Sequence, residues 1–211
     1  MAFAVAEGLA PEVYPLAWLV GTWRGPGFLA YPEISEKPFV QEATFGHDGG
    51  PYLTYTSTIW LLDEDTDEDT GPDGGDDAQS TEVRYTVGPV WATESGYWRP
   101  AVPAGAASPS SEASDDGPGT DVEVLLAEPT GHVSIYLGTV QGPRVEIATD
   151  LLARTSTAAE ISAVHRMYGL VGGELMWALD MAAFGHELRP YASARLSRLA
   201  PASGDSSGPD A

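Results

Sequence analysis

The sequence predicts an all-β protein, folded as a closed antiparallel barrel of about eight to ten strands with room for one small ligand. Three observations carry this. Segments rich in β-branched and aromatic residues recur along the chain with short-period alternation. Gly-bearing turns separate them. No repeated helical crossover joins them, so neighbouring strands run antiparallel, and closure removes the exposed edges that such a meander would otherwise leave.

Taken in order, PEVYPLAWLVGTW near the start holds a short apolar helical turn or two. GTWRGPG (21–27) follows, and glycines at alternate positions there strip one strand face of side chains, while Trp23 covers a barrel end. PYLTYTSTIWLL (51–62) reads as a strand, as does DVEVLLAEP (121–129), which meets a Thr130-Gly131 turn before HVSIYLGTV (132–140). Gln141-Gly142-Pro143 turns the chain into RVEIATDLLA (144–153). EISAVHRMYGLV (160–171) runs into Gly172-Gly173, a hairpin signal, and ELMWALDMAAF (174–184) returns. YASARLSRLA (191–200), after Pro190, closes the set.

Charge is strong and uneven. Ten Lys and Arg against 31 Asp and Glu give a formal charge of −21 over 211 residues, which argues against a nucleic-acid or anionic-membrane partner. Residues 63–82 hold ten acids and no base, residues 103–121 hold four, and the tail 200–211 holds two. Without these sixteen charges the remainder carries −5. All three stretches lack the apolar side chains that offset the entropy of ordering, so two disordered acidic insertions and a disordered tail are expected. The first lacks the loop-closing glutamate and flanking helices of an EF-hand, and no metal site is expected. One domain, 11–199, remains.

With no cysteine, disulfides, thiolate metal sites and cysteine nucleophiles are excluded. The opening MAFAVAEGLAPEVYPLAW lacks a basic start and no apolar run reaches membrane length, so a soluble, cytoplasmic protein is expected.

Gly21-x-Trp23-x-Gly25-x-Gly27 becomes specific in context: it stands in PxxYPLAWLVGTWRGPGxxxYP, followed by QEATFGHDGGPYLTYT, ESGYWRP, VEVLLAEPTG and VSIYLGT. This ordered set resembles the nitrobindin family, small ten-stranded antiparallel barrels related in shape to fatty-acid-binding proteins and lipocalins. The resemblance implies a pocket for heme b at the open end, held by one histidine on the last strand, and a ferric centre that handles nitric oxide and isomerises peroxynitrite to nitrate. Laid on the family's segment, residues 186–198 match at Leu188, Leu196 and Arg198, and Tyr191 stands at the ligand position. After Tyr31-Pro32, where the family commonly has a heme-lining threonine, this chain has Glu33.

Tyrosine ligates ferric iron only as phenolate, from an ordinary pKa near ~10, and needs a nearby cation. Regular alternation puts Arg189 and Arg195 on the face of Tyr191. His186 is expected in the turn before Pro190, His47 in a structural hydrogen bond, His165 at the surface or rim, and His132 just past a turn. Glu42, Glu94 and Asp180 are expected in salt bridges with Arg24, Arg84, Arg99 or Arg166. Trp60, Trp91, Trp98 and Trp177, with Met176 and Met181, are expected to form a lipophilic interior. Nucleophile-elbow, zincin, P-loop and dinucleotide fingerprints are missing, and no catalytic residue is assigned. The expectation is a non-enzymatic barrel for a small apolar ligand, with no tightly held cofactor. The alternative is ferric heme b on Tyr191 with peroxynitrite isomerase activity.

Overall fold

A computed structural model describes residues 6–62, 87–101 and 119–200. Ten strands close into one antiparallel barrel: β1 (Gly21–Tyr31), β2 (Ile34–Gly46), β3 (Leu53–Leu62), β4 (Val87–Pro100), β5 (Thr120–Glu128), β6 (His132–Gln141), β7 (Arg144–Arg154), β8 (Ile161–Val171), β9 (Glu174–Ala183) and β10 (Arg189–Arg198). Each strand pairs with its sequence neighbours, and β1 also pairs with β10 to seal the sheet. β5 begins inside the stretch assigned to the second insertion, because Thr120 and Asp121 already pair with Val140 and Thr139 of β6. β10 begins at Arg189 and contains Pro190, one residue pair before an irregularity that tolerates a missing donor. The expectations for 63–82, most of 103–121 and 201–211 lie outside the described residues. Among the described residues no helix is long and apolar enough to cross a membrane.

Turn chemistry decides the tightest hairpin. Gly172 and Gly173 join β8 to β9 at φ of 63° and 89°, the left-handed pair that a two-residue turn matched to strand twist requires.

One end of the barrel is closed by the helical start, which is a nine-residue 3-10 helix over Pro11–Leu19 rather than a turn or two. Pro11 suits the first helical position, whereas Pro15 inside the element removes a backbone donor and disfavours a continuous α-helix. Val13, Leu16, Trp18 and Leu19 are buried against the barrel end. Trp23 donates its indole N–H to Leu19 O at 2.7 Å, and the Arg198 guanidinium lies 4.1 Å from the centre of the Trp23 ring while binding the Val20 and Trp18 carbonyls. Next to this plug, Trp98 packs edge to face with Phe45, Tyr55 and Tyr168 at centroid distances of 5.1–5.9 Å, and Phe45 lies tilted on Tyr55 at 4.8 Å.

The glycine-stripped face sits at the β1–β10 seam. A Cβ on Gly25 would lie 2.2 Å from Arg195 O and 2.9 Å from Leu196 Cα, both backbone, so it forces the strands apart. Gly25→Ala is therefore expected to cost about 1–3 kcal/mol in urea unfolding. A cost near zero would mean that the seam opens freely.

Candidate functional site

Connections 1–2, 5–6, 7–8 and 9–10 all turn at the end opposite the 3-10 helix, and inside that end the barrel holds a cavity of about 390 Å³. Its apolar wall includes Leu29, Ile59, Trp91, Ile161, Leu179 and Met181. At the mouth, Phe184 is held at φ 53° with its ring edge-on to Tyr31.

The deepest polar feature is a buried ion pair. Arg166 on β8 donates through both terminal nitrogens to Glu94 on β4, each at 2.8 Å, with the side chains 7% and 15% exposed. Tyr55 adds a 2.8 Å hydrogen bond to the same carboxylate, and the guanidinium lies 5.1 Å from the centre of the Tyr136 ring. Burial pushes the Glu94 carboxyl up, but Arg166 pulls harder, so it ends below its ordinary value. Burial also pushes the Tyr168 phenol up to about 12. A neutral relay lies beside the pair: Trp177 donates to Gln41 at 2.6 Å, and Gln41 to Ser57 at 2.8 Å.

Tyr191 projects into the cavity by an irregularity that strand parity does not foresee. On β9, Asp180 faces Pro190 and the next residue back, Leu179, faces Ala192, so Tyr191 is the extra residue and both it and Ala192 line the cavity. This corrects the expected cation support. Arg195 points outward to Glu174, and Arg189 is exposed beside Glu33. The phenol oxygen instead accepts the Trp91 indole N–H at 2.8 Å, and burial holds its pKa above the ordinary value, so the proton stays on.

Glu33 stands outside the cavity lining, in the exposed β1–β2 turn, 2.7 Å from Nε2 of His186. His186 occupies the β9–β10 connection as expected, and His165 lies on the outer face between Glu146 and Asp180. His47 Nδ1 is buried without a hydrogen-bond partner, contrary to the structural bond expected for that ring. His132 stands just past the turn as expected: it begins β6, is 3% exposed and lines the cavity. Both its nitrogens are engaged, Nε2 at 2.9 Å from Ala159 O and Nδ1 at 3.3 Å from Thr130 Oγ1.

The expected salt bridges Glu94–Arg166 and Glu42–Arg24 form, whereas Arg99 pairs with Glu123 and Asp180 with His165. Trp91, Trp98, Trp177 and Met181 face inward. Trp60 instead lies on the outer wall under the Arg24 guanidinium, and Met176 is 40% exposed, since each falls on the outward parity of its strand.

Sequence reasoning passed over Glu128. Its β5 alternation holds the signal, since Val122, Val124 and Leu126 are buried and Glu128 continues the same face into the cavity. Burial raises its pKa, Thr130 donates to it at 3.2 Å, and no cation pairs with it among the described residues. No group of three or more metal-ligating side chains forms among the described residues.

Comparison with known proteins places these features in a family. The model of the THAP4-like, heme-binding beta-barrel domain matches residues 12–198. A ferric nitrobindin-like protein of Beutenbergia cavernae is 54% identical over 219 residues, covering 95% of this chain and 100% of that protein. A peroxynitrite isomerase of Leifsonia xyli subsp. xyli is 39% identical over 215 residues, covering 92% and 98%. The crystal structure of Rv2717c from M. tuberculosis matches with a TM-score of 0.66 at 29% identity, covering 91% of this chain and 99% of that one.

Proposed function

The chain belongs to the family of THAP4-like, heme-binding β-barrel domains, and from that membership we propose a divergent member: a non-enzymatic barrel that takes a small, largely apolar ligand and lacks the axial histidine. The carrying observation is the donor that the last strand offers the cavity. It is the neutral phenol of Tyr191, hydrogen-bonded by Trp91 and without a cationic partner among the described residues.

The residues of this donor set do not fit iron porphyrin. A phenol whose proton is held on by burial is a poor iron ligand at neutral pH. Arg166, which would have to stabilise a phenolate, is committed to Glu94. His132 would have to give up a hydrogen bond, to Thr130 Oγ1 or to Ala159 O, to present a free nitrogen. The unpaired Glu128 would face the carboxylates that heme carries.

A hemin titration followed by absorption spectroscopy tests this reading. The expected result is no sharp Soret band at one equivalent. A second reading, ferric heme bound through Tyr191 with peroxynitrite isomerase activity, is favoured by the inward projection of that phenol and by the names of relatives such as the Leifsonia protein. It requires a Soret band that Tyr191→Phe abolishes, together with accelerated peroxynitrite decay in stopped flow.

A further inference from the structure

Resting on the reading of the barrel as a small-ligand carrier, we infer that the cavity selects a hydrophobic organic cation, an amine with a compact apolar body, and seats its ammonium on Glu128 between the rings of Trp91 and Tyr191. The charge inventory of the cavity points there. Two carboxylates and one guanidinium line it, and Glu94 and Arg166 cancel each other through their two 2.8 Å bonds. Both terminal nitrogens of Arg166 bind Glu94 and Nη1 also reaches the Tyr168 hydroxyl at 3.5 Å, while Nε is buried without a hydrogen-bond partner. Among the described residues Glu128 is left without an ion-pair partner, and the fields of Arg166 and His132 only partly oppose the burial that raises its pKa. It accepts one hydrogen bond, from Thr130, which leaves acceptor capacity on a carboxylate that has no cationic partner among the described residues.

The remaining titratable groups on the cavity wall do not alter this balance. Tyr191 and Tyr168 are held as neutral phenols, and His132 donates Nε2–H to the Ala159 carbonyl, which leaves Nδ1 of a neutral ring to share the single Thr130 hydroxyl proton with Glu128. A carboxylate taken partly out of water without a cation is stabilised by any ligand that brings one, and an electron-rich indole or phenol face adds to the attraction. An anionic ligand meets the opposite: an unpaired like charge inside, and a chain of formal charge −21 around it. The apolar wall excludes small hydrated cations and favours a body that fills about 390 Å³.

Three probes of one shape separate charge from burial: 1-naphthylmethylamine, 1-naphthalenemethanol and 1-naphthoic acid, titrated calorimetrically into the intact protein at pH 7. The amine is expected to bind about tenfold tighter than the alcohol, and the acid weaker than both. In Glu128→Gln, the amine is expected to fall to within about twofold of the alcohol, whose own affinity stays put and so reports an intact cavity. Lowering the pH is expected to erode the amine's advantage in the native protein as Glu128 takes up its proton, and to leave the alcohol unaffected. Equal binding of amine and alcohol, tightest binding of the acid, or an amine preference that survives Glu128→Gln would overturn the charge assignment while leaving the apolar carrier standing. If no probe binds, the carrier reading falls with it.

Discussion

Arg166→Met is expected to destabilise the barrel by about 3–5 kcal/mol, read from urea unfolding at neutral pH. The substitution leaves Glu94 buried with the Tyr55 hydroxyl as its remaining partner. The pH dependence follows from the direction of the shift. In the native protein the Glu94 pKa lies below its ordinary value, so the stabilisation from the pair is complete above the unfolded pKa and drains away as pH falls through the folded one. In Arg166→Met the burial cost stands alone and the folded pKa moves above the unfolded one, so the deficit is largest at neutral pH and shrinks as acid protonates Glu94. The double variant Glu94→Gln/Arg166→Met is expected to recover most of the loss, because no uncompensated charge remains. A deficit that stays the same from about pH 7 to about pH 4 would contradict this role for the pair.

Tyr191→His is expected to raise hemin affinity by about a hundredfold, on the scale by which metal-site contacts act, and to produce a sharp Soret band at one equivalent. The β10 irregularity fixes the side-chain direction through the backbone, so an imidazole there would enter the cavity as the phenol does. A neutral imidazole needs no proton removed at neutral pH and no stabilising cation. If Tyr191→His binds hemin no better than the native chain, the missing ligand is not the main obstacle. Adding Glu128→Gln then asks whether the interior carboxylate is.

Much of the fold was legible because β-barrels write their alternation into sequence. Glycine turns at Thr130-Gly131 and Gly172-Gly173 marked hairpins, and burial along β5 and β6 follows parity without interruption. The site was legible to the extent that Tyr191 could be singled out from its place in the last strand. Its surroundings were not, for identifiable reasons. One extra residue in β10 put Tyr191 and Ala192 on the same side and turned Arg195 away, and no alternation rule applied to the letters alone foresees that. Trp91 reaches Tyr191 across a hundred residues of sequence, a contact that only closure of the barrel creates. Glu128 and His132 were open to parity, yet each follows or precedes a turn, where alternation is weakest as a guide. Arg166 looked like one of several partners for Glu94, and selecting it took the diameter of the barrel.

A pocket without a grip on iron leaves the protein free of heme as its host makes it. Native mass spectrometry of gently purified, untagged protein, with no heme added, reads the occupant of the cavity. The expected result is the bare chain or a small non-porphyrin adduct. A one-to-one complex at the added mass of heme b, surviving desalting and lost in Tyr191→Phe, would contradict it.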